Sequence, residues 1–398
     1  MNFIFISPNF PRTYQNFCDR LHKNGANVLG IGDAPYNTLS KELKSSLTEY
    51  YFIDKLSDYA QVFKAVAFFS YKYGKIDWIE SNNEFWLVQD ARLRTDFNVT
   101  SGIQADRVDF IKEKSLMKRI YLDNGIPTAR QHKVTDFDSA KRFTDEVSFP
   151  IIAKPDIGVG ATDTYKIVDL DGLKSFFDRR IETPYVMEEF ISGDICSYDA
   201  IVDSNGDPLF ESMTTWPPSI MDIVEKQLDL WYFTADTVPE GLRTLGRKTV
   251  KAFGVKSRFV HLEFFRLNDP KPGLGDKGDF VALEVNMRPA GGYTTDMMNF
   301  AHSTDVYQIF ADMVTEDKLI HPQKDEHSWC AYASRRDCHR YVHTHEEIMD
   351  AYGQKIVMQE EMPRMNWPQM GRYMYTAKTS SLAETWEFIN FVHERADD

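Results

Sequence analysis

The chain has 398 residues, too many for one ordinary hydrophobic core, so two or three domains are expected. Its 46 Lys and Arg against 60 Asp and Glu give a net charge of −14, which argues against nucleic acid or anionic membrane as a partner. Hydrophobic residues at 42% and charged residues at 27% are typical of a globular protein.

The cysteines and the start of the chain indicate the compartment. Four scattered cysteines lack the spacing of metal ligands and read as reduced thiols. The first residues, MNFIFISPNF, have no basic segment and only a short apolar run, so neither a signal peptide nor a membrane span is expected. These features predict a soluble, cytoplasmic protein without a membrane partner.

Residues 1–108 alternate strand and helix patterns, which predicts a parallel sheet covered by helices in a Rossmann-like domain. Thr13 is the expected cap of the first helix. Ligands of such sheets bind beyond the carboxyl ends of the strands, so SPNFP (7–11) and ESNNE (80–84) are expected at a pocket rim. No G-x-G-x-x-G follows the first strand, so an NAD site is not favoured. The expected strands are 3–6, 27–31 and 76–80, and the expected helices follow Thr13 and span 57–73 and 83–97.

A second region is predicted to begin near Val108, with a helix capped by Asp109 and ended by Gly125 and Pro127. The pair Asn205-Gly206 predicts a hairpin farther along. The sequence from about 320 onward indicates a small closing subdomain. Further strands are expected at 149–154, 164–168, 185–190, 259–265 and 283–288, and helices at 173–180, 240–253, 346–352 and 382–394.

The last two strands of the second region carry polar side chains on one face. In LEVNMR (283–288), Glu284, Asn286 and Arg288 alternate with apolar residues, and successive side chains of a strand point to opposite faces. A loop joins this strand to FVHLEFF, so Glu263 is expected beside Glu284. Two carboxylates and an amide oxygen suit Mg²⁺. The alternative is a solvated polar face with separately hydrated carboxylates.

Two lysines are candidates for phosphate contacts. Lys154 ends an apolar strand, where its ammonium group must reach water or meet an anion. The loop that follows, IGVGA, contains Gly158 and Gly160, and its backbone N–H groups could cover phosphate oxygens. By itself this loop is more typical of a plain hairpin, and it is not a Walker motif. Lys114 lies at the edge of a helix's apolar face, where a solvated lysine is the alternative. His261 is more typical of a structural histidine.

The order of these motifs resembles the ATP-grasp superfamily, and most closely its carboxylate–amine ligases of the amino-acid-ligase and carbamoyl-phosphate-synthase type. The resemblance implies an α/β pre-ATP-grasp Rossmann-like domain at 1–108 and an α+β ATP-grasp domain at 109–320. It also implies a lid subdomain at about 130–185 and a closing subdomain at 321–398. The motifs are EKSLMK with GIPT (113–118, 125–128), FPIIAKP with its glycine loop (149–160), MEEFISG (187–193), HLEFF (261–265) and LEVNMRPAGG (283–292).

The resemblance implies a role for each matching residue. Glu188 would accept a hydrogen bond from the adenine amine, and the backbone of Glu189, Phe190 and Ile191 would read the ring. Ile195 replaces a glutamate that often binds ribose, so Asp194 is a candidate substitute. The phosphates of ATP would contact Lys114, Lys154, Gly158 and Gly160. Mg²⁺, for which Mn²⁺ is a possible substitute, would bind Glu263, Glu284 and Asn286. Arg288 would act on the acceptor carboxylate and the acyl phosphate.

The implied reaction is the ATP-dependent, ADP-forming ligation of a small-molecule carboxylate to an amine, with amino-acid-like substrates. The segments 214–222 and 291–299 are expected to border the acceptor pocket, although core or lid packing explains them equally well. ATP-dependent carboxylation, phosphoryl transfer and a catalytically silent ATP-binding regulator remain alternatives. A homodimer is one possible assembly.

Overall fold

The computed structural model describes residues 1–158, 163–179, 183–217, 223 and 226–396. Within these residues the strands form three sheets, of four, eight and four strands. The strands are β1 Asn2–Ile6, β2 Asn27–Gly32, β3 Glu49–Phe52, β4 Trp78–Glu80, β5 Gln131–Lys133, β6 Ile151–Pro155, β7 Tyr165–Ile167, β8 Tyr185–Glu189, β9 Gly193–Val202, β10 Pro208–Thr215, β11 Trp231–Thr234, β12 Arg258–Leu267, β13 Phe280–Asn286, β14 Trp329–Arg335, β15 Ile356–Glu361 and β16 Tyr373–Thr379.

Helices connect many of the strands and pack against the sheets. No helix among the described residues is long and apolar enough to cross a membrane. The helices are α1 Gln15–Lys23, α2 Lys41–Ser46, α3 Tyr59–Tyr73, α4 Leu87–Asp96, α5 Asp109–Lys112, α6 Lys114–Asp123, α7 Phe137–Val147, α8 Leu170–Phe177, α9 Glu240–Ala252, α10 Thr294–His302, α11 Val306–Glu316, α12 His345–Tyr352, α13 Trp367–Met370 and α14 Leu382–His393.

The first sheet has the order β3-β2-β1-β4, and all its strand pairs are parallel, which confirms the predicted βαβ arrangement. Every residue of β1 is buried because both of its faces are covered. Ile4 and Ile6 join a cluster with side chains of α3 and α4. Phe3 and Phe5 join another cluster with α1 and with α11, a helix from much later in the chain.

The central sheet has the order β13-β12-β9-β10-β11-β14-β16-β15, with antiparallel pairing throughout. The predicted hairpin joins β9 to β10, and Gly206 supplies its positive φ of 81°. Strands from the last 80 residues extend this sheet at one edge. The domain boundaries near 108 and 320 stay predictions.

A third, small sheet has the order β5-β8-β6-β7 and packs on α7 and α8 through its own hydrophobic cluster. Strands β5, β6 and β7 fall within the segment 130–185 predicted as a lid, whereas β8 begins at its end and extends beyond it. This sheet presents Lys154 on β6 and Glu188 on β8, which are neighbouring antiparallel strands. Gly160 lies outside the described residues, as do residues 218–222 of the predicted pocket segment.

Two helix predictions were wrong in detail. The helix expected from Asp109 is broken at Glu113, whose backbone adopts an extended conformation and bridges to Ile157. Asp109 therefore lies inside a short helix and caps nothing, while Lys114 begins α6 beside the glycine loop. Thr13 does not cap α1 either, because it lies within a 3-10 turn, Arg12–Tyr14, that precedes the helix. At Glu113 the bridge to the distant Ile157 overrides the local helical preference.

Candidate active site

The strands β12 and β13 place two carboxylates side by side. Glu263 and Glu284 are direct cross-strand partners, as predicted, and Asn286 is paired with His261 one step away. The register shifts immediately after Glu263, so the predicted adjacency holds at this pair and changes beyond it. Side chains directly opposite on antiparallel strands lie roughly 5 Å apart at Cβ. The two carboxylates and the amide therefore belong to one cluster.

The carboxylates of this pair differ in their electrostatic environment. Burial and the charge of Glu263 raise the pKa of Glu284. Burial alone would also raise the pKa of Glu263, but its hydrogen bond and charge interaction with His261 outweigh this effect and lower the pKa. A cation bound between the two carboxylates would favour the ionised form of both.

His261 connects Glu263 to a second buried carboxylate. Its Nδ1 lies 2.7 Å from Asp199 Oδ1, and its Nε2 lies 3.2 Å from Glu263 Oε1. Burial would lower the pKa of His261, but Asp199 and Glu263 raise it to about 9. The contact of His261 with Glu263 orients that carboxylate, and a purely structural role for His261 stays a prediction. Asp199 gave no sequence signal, because it lies on β9, far away in the chain.

The donor set fits a hard divalent cation. The described residues contain no group of three or more His, Cys, Asp or Glu placed to bind a metal. The cluster instead offers Glu263, Glu284 and the amide oxygen of Asn286, and Mg²⁺ is commonly held by one or two carboxylates together with substrate phosphates. The Asn286 side chain is buried, yet its Nδ2 has no hydrogen-bond partner. The two carboxylates and the amide oxygen are nevertheless a donor set that fits Mg²⁺.

Lys114 joins the glycine loop to the paired carboxylates. Its Nζ lies 3.7 Å from Glu284 Oε1 and donates a hydrogen bond to the Gly158 carbonyl oxygen at 3.3 Å. The side chain is nearly buried, which argues against a solvated helix lysine. Lys114, Gly158 and Glu284 thus come together although the sequence separates them widely.

Lys154 lies in a buried ion-pair network with Glu188 and Lys118. Lys154 Nζ is 2.6 Å from Glu188 Oε2, and Lys118 Nζ is 3.0 Å from Glu188 Oε1. Burial would raise the pKa of Glu188, but the two ammonium groups outweigh it and lower the pKa to about 2. Sequence reasoning missed Lys118, although its position four residues after Lys114 places both lysines on one face of α6.

The remaining predicted nucleotide residues follow β8. Glu189 is buried, and its carboxylate accepts hydrogen bonds from the Arg130 backbone at 2.8 Å and guanidinium at 2.9 Å. The Phe190 carbonyl oxygen accepts one from Lys271 at 3.3 Å, and Ile191 is buried. Asp194, in contrast, is exposed at the start of β9. Its ribose contact stays a prediction.

Arg288 lies just past the end of β13 and contacts the first region of the chain. Its Nε is 3.5 Å from Glu84 Oε2, and Lys112 Nζ is 2.5 Å from the other oxygen of Glu84. The NH2 group of Arg288 lies 3.4 Å from Asn286 Oδ1. The loop 80–84, predicted at a pocket rim, thus reaches the paired carboxylates. The sequence predicted that this loop lies at a pocket rim, but it did not mark Glu84 as a site residue.

Several buried polar atoms around this cluster have no hydrogen-bond partner, and each such atom costs roughly 1–3 kcal/mol unless something binds it. They belong to residues in the loop after β4, at the end of β13, in the first turn of α10 and just past β10. Burial raises the pKa of the Asp296 carboxyl to about 6. The atoms are Asn82 Oδ1 and Nδ2, Glu84 Oε2, Asn286 Nδ2, Asp296 Oδ2 and Trp216 Nε1.

No family model matches the chain. Comparison with individual known proteins nevertheless finds similar sequences, among them amino acid ligases. An L-arginine-specific L-amino acid ligase of Bacillus subtilis is 23% identical over 257 residues, covering 62% of this chain and 60% of the relative. A D-alanine–D-alanine ligase of Francisella philomiragia is 24% identical over 186 residues, covering 44% of this chain and 57% of the relative. The chain thus matches less than two thirds of the length of these relatives.

Similarity to solved structures extends over nearly the whole chain. The L-amino acid ligase of Bacillus licheniformis superposes with a TM-score of 0.71 at 15% identity, covering 98% of this chain and 96% of that one. At such identity the likeness establishes the fold alone. Together with the relatives, it confirms the α/β fold and the resemblance to the ATP-grasp superfamily that the motifs indicated.

Proposed function

We propose that the protein, which has the ATP-grasp fold, is an ADP-forming ligase that joins a carboxylate to an amine. The observation that carries the proposal is the Glu263–Glu284 pair with Asn286, flanked by the cations Lys114 and Arg288. The names of the relatives, which are amino acid ligases, support the same reaction class.

The chemistry requires neutralised charge more than a general base. A carboxylate is a poor electrophile, and transfer of the γ-phosphoryl group of ATP converts it to an acyl phosphate with a good leaving group. The barrier to phosphoryl transfer lies mainly in positioning anions and neutralising their charge. When bound, Mg²⁺ supplies that charge, and Mn²⁺ is a possible substitute.

Each side chain of the cluster has a task in this reaction. Glu263, Glu284 and Asn286 hold the metal, and His261 fixes the Glu263 carboxylate through the 3.2 Å contact. Lys114 and Lys154 bind phosphate oxygens, and Glu188 keeps Lys154 in place. Arg288 binds the acceptor carboxylate and the phosphoryl group that it receives. The segment 188–191 binds adenine, with the Glu188 carboxylate shared between the lysines and the adenine amine.

The substrates fit the class of amino acids. An amino acid presents a carboxylate to a cation and an ammonium group to an anion. Arg288 supplies the first, and Asp296 Oδ2 is a buried oxygen without a hydrogen bond that an ammonium group would satisfy. Trp216, stacked on Tyr232 at 4.7 Å between ring centroids, supplies an apolar wall. We further propose a cytoplasmic location, with a homodimer as one possible assembly.

Hydroxylamine provides the test of the proposed reaction. It is a small nucleophile that replaces the amine and converts an acyl phosphate to a coloured hydroxamate. The purified protein with ATP and Mg²⁺ is screened against amino acids, dipeptides and hydroxy acids, and hydroxamate is expected with at least one acid.

Two variants separate the roles within the cluster. Arg288→Met should abolish hydroxamate while leaving ATP affinity nearly unchanged, whereas Lys154→Met should weaken ATP binding itself. Release of ADP without hydroxamate across the panel would contradict the ligase proposal and favour a bicarbonate or phosphoryl acceptor. Nucleotide binding without any turnover would favour a regulator.

A further inference from the structure

A second cavity of about 350 Å³ lies where residues 100–111 meet the segment 253–258. Its volume falls in the range of roughly 300–1,000 Å³ that is common for small-molecule sites, and far exceeds the ~30 Å³ share of one water. Phe110 and Phe253 contribute apolar walls. It is lined by none of the nucleotide, metal or substrate residues described above.

The charge of this cavity is opposite to that of the chain. Its described lining includes the cations Arg107, Lys256 and Arg258 and no acidic residue, although the chain as a whole has a net charge of −14. Arg107 and Lys256 are exposed at the rim. Arg107 lies over the Phe110 ring, with 4.8 Å from its guanidinium carbon to the ring centroid. The cavity therefore combines an aromatic wall with positive charge.

Arg258, which lines the cavity, carries a buried donor without a partner. The residue is 2% exposed, and its NH1 group has no hydrogen-bond partner. Gly102, which also lines the cavity, lies against this group, because a Cβ added there would be 3.2 Å from NH1. A buried guanidinium N–H without an acceptor is costly, and an oxyanion is the acceptor that it pairs with best.

The surroundings of Arg258 leave its positive charge incompletely balanced. Arg258 and Arg94 share one carboxylate, Glu80, to which both guanidinium groups bind. The next buried carboxyl is Asp90, and burial together with the Glu80 charge raises its pKa to about 7. Asp90 is therefore only partly ionised near pH 7, and Glu80 is the carboxylate that both buried guanidinium groups contact.

Short covalent and hydrogen-bonded paths connect the lining of this cavity to the active site. Arg258 Nε donates a hydrogen bond of 2.9 Å to the carbonyl oxygen of Met287, the residue between Asn286 and Arg288. Glu80, the ion-pair partner of Arg258, begins the loop that carries Glu84. An occupant of the cavity would therefore touch a side chain that holds both segments.

We propose that this cavity is a binding site for a small organic anion, a carboxylate carried on a ring or branched apolar body. The carboxylate pairs with the exposed rim cations Arg107 and Lys256, on the side where the buried charge of Arg258 adds to theirs, and the apolar body packs between Phe110 and Phe253. The site is separate from the nucleotide site, and the proposal does not depend on which reaction the protein catalyses.

Benzoate is the probe, and its binding is measured by titration calorimetry on the full chain with Mg-ADP present at saturation. The nucleotide blocks the phosphate-binding lysines, so the anion cannot bind there. Benzoate should bind, while benzyl alcohol, which keeps the ring and lacks the charge, should bind at least tenfold more weakly. Inorganic phosphate, which lacks the apolar body, should also bind more weakly.

Two double variants with the same change in net charge locate the binding. Arg107→Gln with Lys256→Gln removes the rim cations at exposed positions and should weaken benzoate binding at least tenfold. Lys251→Gln with Lys277→Gln removes two exposed cations that do not line the cavity and should leave it unchanged. The proposal is overturned if benzoate does not bind at millimolar concentration. Equal binding by benzyl alcohol or phosphate, or equal weakening by both double variants, would also overturn it.

Discussion

Replacing Glu188 with glutamine tests whether this carboxylate holds the two lysines of the candidate phosphate site. The substitution keeps the size of the side chain and removes the charge that Lys118 and Lys154 share at 3.0 and 2.6 Å. Two buried ammonium groups are then left without their carboxylate. We expect the small sheet that contains β6 and β8 to lose stability, because both strands contribute to this ion-pair network.

The size of the effect follows from the pKa of Glu188, which falls from its ordinary 4.5 to about 2. Each pKa unit corresponds to about 1.4 kcal/mol, so the carboxylate contributes about 3 kcal/mol to stability at neutral pH. Loss of one partner from a buried ion pair costs a similar amount, roughly 3–5 kcal/mol. Because the folded-state pKa is lowered, this contribution is fully present above pH 4.5 and is lost as the pH falls toward 2.

Amide hydrogen exchange measures this local stability directly. A loss of about 3 kcal/mol corresponds to roughly hundredfold faster exchange in β6 and β8 at pH 7. Asp171→Asn is the control in the same region, because its exposed ion pair with Lys174 should contribute nothing measurable. Adding Lys118→Met to Glu188→Gln should recover part of the loss by removing one unpaired ammonium group. Unchanged exchange in the Glu188→Gln protein would refute the reasoning.

Three further predictions concern the metal, the lid and the packing of the central sheet. Glu284→Gln should keep the fold, as judged by circular dichroism, but reduce ADP release by orders of magnitude even at saturating Mg²⁺; near-normal release would rule out the metal assignment. Mg-ATP should slow amide exchange in β6 and β7 of the predicted lid, and equal rates with and without nucleotide would count against it. Gly246→Ala should lower the free energy of unfolding by about 1–3 kcal/mol in a denaturant titration, since its Cβ would lie 2.4 Å from the Tyr198 ring. Gly241→Ala, with 3.6 Å to Phe280, should not.

Much of the fold was predictable because local patterns encode it. Buried apolar strands alternating with helices indicate a parallel sheet, and β1, β2 and β4 form one. The loop that joins β12 to β13 predicted antiparallel neighbours, and the strands pair so that Glu263 lies opposite Glu284. Lys154 was singled out because a charged group next to apolar neighbours is unusual and therefore informative, and its contact with phosphate stays a prediction.

The partners that complete the site depended on tertiary structure. Lys118 meets Glu188, and Arg288 meets Glu84, only because elements distant in sequence dock against one another. Asp199 on β9 contacts His261 on the neighbouring strand β12, at a position that no sequence periodicity indicates. The break at Glu113 likewise follows from its bridge to Ile157. Sequence patterns report the forces along one element, such as periodic burial and turn geometry. The charges that face each element across a packed interface are set only when the elements come together. A buried ion needs an oppositely charged partner, and that partner is supplied by the element packed against it.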